Sequence, residues 1–134
     1  MKKLLSLFLI LSLITLYPNI NSYSKDIEKN ITLKFLSKKY YAKLIFKTDK
    51  LEKMLPVKVT LELKDNKNKP LENQEILLDL IMPSMEMPEN KVKLKYKGNG
   101  IYQGEVIFTM RGDWRINVYL KNSKKPDFYF DFEI

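Results

Sequence analysis

From residue 31 to the end of the chain, apolar and polar residues alternate repeatedly, and this period of two constrains the fold more than any other feature. In "VKVTLELK", Val57, Val59, Leu61 and Leu63 fall on one side, and Lys58, Thr60, Glu62 and Lys64 on the other. "KVKLKYK" sets Val92, Leu94 and Tyr96 against lysines, and "WRINVYL" sets Trp114, Ile116, Val118 and Leu120 against Arg115, Asn117 and Tyr119. "FYFDFEI" and "YYAKLIFK" repeat the pattern through Phe128, Phe130, Phe132 and Ile134, and through Tyr40, Ala42, Leu44 and Phe46. Side chains on a strand point alternately to its two faces, so each run predicts a strand with one buried and one wet face. No stretch after the N-terminal segment has helical spacing with caps.

Turn residues divide these runs at short intervals. "DNKNKP" (65–70) lies between two of them, "KGNGI" (97–101) carries the Asn-Gly signal of a tight hairpin, and "RGD" (111–113) separates "VIFTM" from "WRINV". The pattern predicts about seven or eight strands, near 31–37, 40–47, 56–64, 74–82, 91–97, 101–110, 114–120 and 127–134. Short strands at this spacing predict an all-β, antiparallel, immunoglobulin-like β-sandwich, with a small barrel as the competing architecture. Function on such a scaffold belongs to the loops at its ends.

The first two dozen residues follow different rules. Met1-Lys2-Lys3 precedes an uncharged run from Leu4 to Tyr17, which Pro18 ends before the polar "NINSYSKD". Charged start, short apolar stretch and small residues thereafter predict a secretory signal over 1–24, cleaved after Ser24. The apolar run, about 14 residues, is below the usual length for a bilayer span; if retained, 4–17 would act as a membrane anchor. The expectation is export to a periplasmic or other extracytoplasmic place, with 25–134 as one domain. Peripheral or anchored membrane association fits either fate.

Loss of Lys2 and Lys3 lowers the net charge from +8 to about +6. The lysines alternate along strands rather than cluster, which predicts solvated faces and no nucleic-acid partner. The chain has no Cys and no His. A disulfide framework, a thiolate or imidazole metal site and lipid attachment through a thiol are therefore excluded. Serine-hydrolase and phosphate-loop glycine motifs are absent too, so no enzyme is expected.

Read together, several stretches resemble the YtkA-like/FixH-like exported domains. They are Met82-Pro83-Ser84-Met85, Gly100-Ile101-Tyr102-Gln103-Gly104 and Gly112-Asp113-Trp114, in that order, over roughly residues 55–134. The resemblance implies an immunoglobulin-like sandwich outside the cytoplasmic membrane. Its FixH-like branch implies assistance in assembling a copper-containing respiratory oxidase, with an envelope or membrane protein as partner. Relatives often carry His in or just after the Met-Pro-x-Met stretch, near the place where Met87 stands, which counts against Cu(II) and leaves Cu(I) open.

"LIMPSMEMPEN" (80–90) holds three of the six methionines. Thioethers are soft neutral donors suited to Cu(I), and they need no deprotonation. Pro83 and Pro88 should carry the segment out of the sheet. An extended chain would turn Met85 and Met87 to one side; a polyproline twist would bring Met82 over Met85. The candidate Cu(I) ligands are Met85 and Met87, then Met82 and Met110. Met82 and Met110 also continue the inward faces of their strands, which makes them core fillers before ligands. The alternative is a metal-free module whose Met-Pro loop contacts a protein. Trp114 and Tyr102 are expected in the core, the Tyr102 hydroxyl on a backbone partner. Gly104 predicts a bulge or close packing under a large side chain.

Overall fold

Each alternating run forms one strand. The computed structural model describes residues 30–134 and contains β1 (Ile31–Leu36), β2 (Tyr40–Phe46), β3 (Val57–Asp65), β4 (Ile76–Ile81), β5 (Lys91–Gly98), β6 (Ile101–Val106), β7 (Asp113–Leu120) and β8 (Phe128–Glu133). The described residues include no helix; the expected signal segment and its cleavage point lie outside them. Strand boundaries follow the alternation closely except in β6, which ends at Val106 instead of reaching residue 110. The cause is local. The Ile107 carbonyl accepts from Asn90 Nδ2 at 3.0 Å, and the Phe108 carbonyl accepts from the Met54 N–H at 2.6 Å. Loops, not a neighbouring strand, take those groups.

Every pairing is antiparallel, and the strands follow one continuous order, β1-β2-β3-β6-β5-β4-β7-β8. The all-β antiparallel class is as expected, and β5 belongs to both halves of that order. Lys91 to Leu94 pair with Asp79 to Ile76 of β4, whereas Lys95 and Tyr96 pair with Gln103 and Tyr102 of β6. Gly104 allows the changeover: a Cβ there would lie 2.7 Å from Leu94 Cδ2 and 3.3 Å from Val92 Cγ1. The close packing expected at Gly104 is present, under a leucine. At the two ends of the order β1 comes alongside β8, and Phe35 stacks on Phe128 with centroids 4.8 Å apart. The sheet is curled and barrel-like.

The inward set is the one the alternation assigns. Leu44, Leu61, Leu63, Leu78, Leu80, Ile116 and Val118 are fully buried, as are Trp114 and Tyr102 to within one per cent. Each buried large aliphatic contributes about 1.5–3 kcal/mol by leaving water. The Tyr102 hydroxyl donates to the Leu71 carbonyl at 2.7 Å and accepts from the Gln74 N–H at 3.0 Å. It thereby holds the β3–β4 connection against the core. Lys91, Lys93, Lys95 and Lys97 are all exposed, a solvated face as expected. Asn99 and Gly100, with φ of 54° and 73°, form the two-residue turn between β5 and β6 that needs positive φ at both positions.

Candidate functional site

Strand pairing decides which loops meet. Val57 at the start of β3 pairs with Val106 at the end of β6, and Ile81 at the end of β4 pairs with Arg115 near the start of β7. The β2–β3, β4–β5 and β6–β7 connections therefore gather at one end. Hydrogen bonds tie them together: Met54 N–H to the Phe108 carbonyl joins the first to the third, and Asn90 Nδ2 to the Ile107 carbonyl joins the second to the third. The chain also enters β1 here, since the Ile31 N–H donates to the Thr48 carbonyl at 3.1 Å.

The β4–β5 connection leaves the sheet at its first proline. Met82 to Met85 form a turn with Pro83 in its second position, closed by the Met85 N–H on the Met82 carbonyl at 3.2 Å. Proline's fixed φ suits that position. Met82 continues the inward face of Ile76, Leu78 and Leu80 and is 6% exposed. Its Cε would lie 2.8 Å from a Cβ on Gly112, whose φ is +134°, so the glycine makes room for the methionine. Met82 is a core residue, as its phase predicts. Met87 turns back instead of standing beside Met85. Its Sδ lies 3.2 Å from the Met82 nitrogen and accepts that N–H, and the side chain is half-buried. Met85 remains 45% exposed. The two methionines of the expected pair thus occupy different surroundings, because Met87 satisfies a backbone donor freed when the chain leaves the ladder.

Met110 departs from its expected role as core filler. Beyond Phe108 the chain has left the sheet, and Met110 is 45% exposed on the β6–β7 connection. Its backbone is held in place, for the Trp114 indole N–H donates to the Met110 carbonyl at 2.9 Å. Trp114 itself is sealed in, edge-on to Phe108 at 5.2 Å, with no face open to an ion. In the "RGD" turn, Gly112 exchanges both backbone hydrogen bonds with Ile134, at 3.1 and 3.0 Å. Those bonds and the room it gives Met82 account for the glycine.

Sequence reasoning passed over Met54 and Leu55. They are 63% and 55% exposed on the β2–β3 connection. The signal available was an apolar pair before Pro56 inside an otherwise charged stretch, "DKLEKMLPVK". Together with Met85, Ile107 and Met110, they give the loop end five of the large apolar side chains that stand exposed among the described residues. The loop end has thioethers from three different connections at its surface. Among the described residues no three carboxylates gather to form a hard-ion site.

A family model described as YtkA-like matches residues 36–119, from the last residue of β1 into β7. No curated protein and no solved structure matches the chain.

Proposed function

Since the chain belongs to the YtkA-like family, we propose that it is an exported, non-catalytic β domain that handles Cu(I) or helps load copper into a respiratory oxidase. Met85 and Met110 are the accessible thioether ligands in this reading. One observation carries it: two methionines, each 45% exposed, stand on neighbouring loops of a chain that lacks Cys and His. Solvent-exposed thioethers gain little from packing, whereas Cu(I) is the soft ion they suit. Thioethers carry no proton to displace, so such a site keeps its affinity across the pH range of the cell envelope. Neutral donors also leave the ion its positive charge, which favours onward transfer to a site with stronger donors. Met87 joins the set only by giving up the Met82 N–H, and Met82 only by leaving the core. The immunoglobulin-like sandwich implied by the resemblance belongs to this reading as the finer description of the fold.

Titration of Cu(I) under reducing, anaerobic conditions tests the assignment, with a colorimetric Cu(I) chelator as competitor. The Met85→Leu/Met110→Leu double variant keeps the apolar volume and should lose binding, while Met82→Leu should keep it. Equal binding by the unaltered protein and the double variant would remove both methionines from the site. A second reading has its own support. Leu55 and Ile107, exposed at 55% and 38%, stand among the methionines and bind no metal. They suit a metal-free contact with an envelope or membrane protein, the reading that stands if the unaltered protein binds no Cu(I).

A further inference from the structure

We propose that Met54 is a third thioether ligand, so that the Cu(I) site is assembled from three loops: Met54 from β2–β3, Met85 from β4–β5 and Met110 from β6–β7. The inference rests on the Cu(I) reading above and adds a residue that neither the Met-Pro-x-Met motif nor the strand pattern indicates.

The backbone of Met54 provides the first argument. Its φ is +64°, in the left-handed region that disfavours residues with a Cβ. The other non-glycine residues with positive φ are Asn68, Asn73, Asn99, Lys121 and Asn122, all polar and four of them asparagine. Asparagine tolerates that conformation best after glycine. Met54 is the one apolar side chain in the group, and it is also 63% exposed. Two unfavourable features coincide at one position, a strained backbone and an apolar side chain in water. A turn accounts for the positive φ, but it calls for glycine or asparagine at that position and not for an exposed methionine. Strain retained where packing does not demand it is a mark of a functional position.

The second argument is placement. The Met54 N–H donates to the Phe108 carbonyl at 2.6 Å, two residues before Met110. The β4–β5 connection bearing Met85 is tied to the same segment through Asn90 and Ile107, and through Met82 packed on Gly112. The β2–β3 and β4–β5 connections are thus both tied to the β6–β7 segment, while the methionine side chain of each of the three loops stays exposed. The third argument is chemical. Three neutral sulfur donors form a set that takes a soft monovalent ion and leaves hard divalent ions in water. Leu55 and Ile107 on the same loops add apolar surface.

The test uses the unaltered protein and the variants Met54→Leu and Met85→Leu, titrated with Cu(I) against a competing chelator and with Ag(I) as an air-stable probe. X-ray absorption at the copper edge counts the sulfur neighbours. The unaltered protein should show three sulfurs. Met54→Leu should show two, with affinity weakened by about tenfold or more. If the unaltered protein binds Cu(I) and Met54→Leu binds it equally with the same sulfur count, Met54 is not a ligand and the wider reading survives. If the unaltered protein binds neither ion, the Cu(I) reading itself fails and Met54 falls with it.

Discussion

Met54 separates what stability asks of a residue from what a site asks. Its left-handed φ of +64° costs about 1 kcal/mol for a side chain with a Cβ, and asparagine reduces that cost. Its exposed thioether adds nothing to the core. Met54→Asn should therefore stabilise the fold by up to about 1 kcal/mol, read as a higher urea midpoint with an unchanged slope. The same variant should bind Cu(I) more weakly. A stability gain with undiminished copper affinity would identify the strain as incidental. The contrast with Met82 is instructive, since there the same residue type serves the core. Met82 lies on the inward phase of β4 and was legible as core from its spacing alone. Met54 lies in a connection, where no period applies, and only the fold brings it towards Met110. Met87 was legible as part of a loop through its prolines. That its sulfur accepts the Met82 N–H was not, because the need arises only once the chain has turned.

Strands were the readable part of this sequence because each has one wet face. Alternation located all eight, and it failed at the end of β6 for a specific reason: Phe108 keeps the inward phase although its carbonyl is bonded to a loop. The neighbours of non-consecutive strands leave no such local trace. The pairing of β4 with β7 places Asp79 beside Asn117, while β5 places it beside Lys91. Burial raises the Asp79 pKa above its ordinary value, Glu89 adds to the rise, and Lys91 opposes it. The carboxyl is thus easier to ionise in the unfolded chain than in the folded one. Its contribution to stability is fully present below the unfolded pKa and is lost as pH rises through the folded one. Asp79→Asn should then stabilise the protein near neutral pH, with the gain vanishing below about pH 3. Asp131 gives the opposite sign. Its bidentate hydrogen bonds from Arg115, at 2.7 and 2.9 Å, hold its pKa down. The stability it contributes is present above the unfolded pKa and lost as pH falls through the folded one, so Asp131→Asn should cost at most about 1 kcal/mol near neutrality and nothing in acid. Urea midpoints of both variants across that range decide the matter: equal pH profiles for the two would contradict the assignment.

At the scale of the whole molecule the question is how a sheet of eight strands ends. β1 and β8 close the order, and each would leave a row of unpaired backbone groups if the sheet lay open. Exposed edges of that kind template association with further chains. Here the curl brings β1 alongside β8, and aromatic rings rather than a hydrogen-bonded ladder mark the seam. Phe128 stacks on Phe35 at 4.8 Å and meets Tyr40 at 6.0 Å, while Phe46 meets Phe132 at 5.7 Å. The sequence showed Phe128, Phe132, Tyr40 and Phe46 on inward phases, and it left sandwich and barrel open because closure depends on which distant strands become neighbours. Loss of one ring should therefore have two separable effects. Phe128→Ala removes a side chain that is 4% exposed, which should cost about 3–5 kcal/mol in urea unfolding. It also loosens the seam, so the variant should self-associate more than the unaltered protein at equal concentration, as measured by light scattering after size exclusion. Val106→Ala provides the control, because Val106 is as well buried but lies on β6, between β3 and β5 in the sheet order and away from the seam. It should lower stability without promoting association. If the two variants associate alike, general destabilisation rather than an opened seam is the cause, and the aromatic pairs are ordinary core.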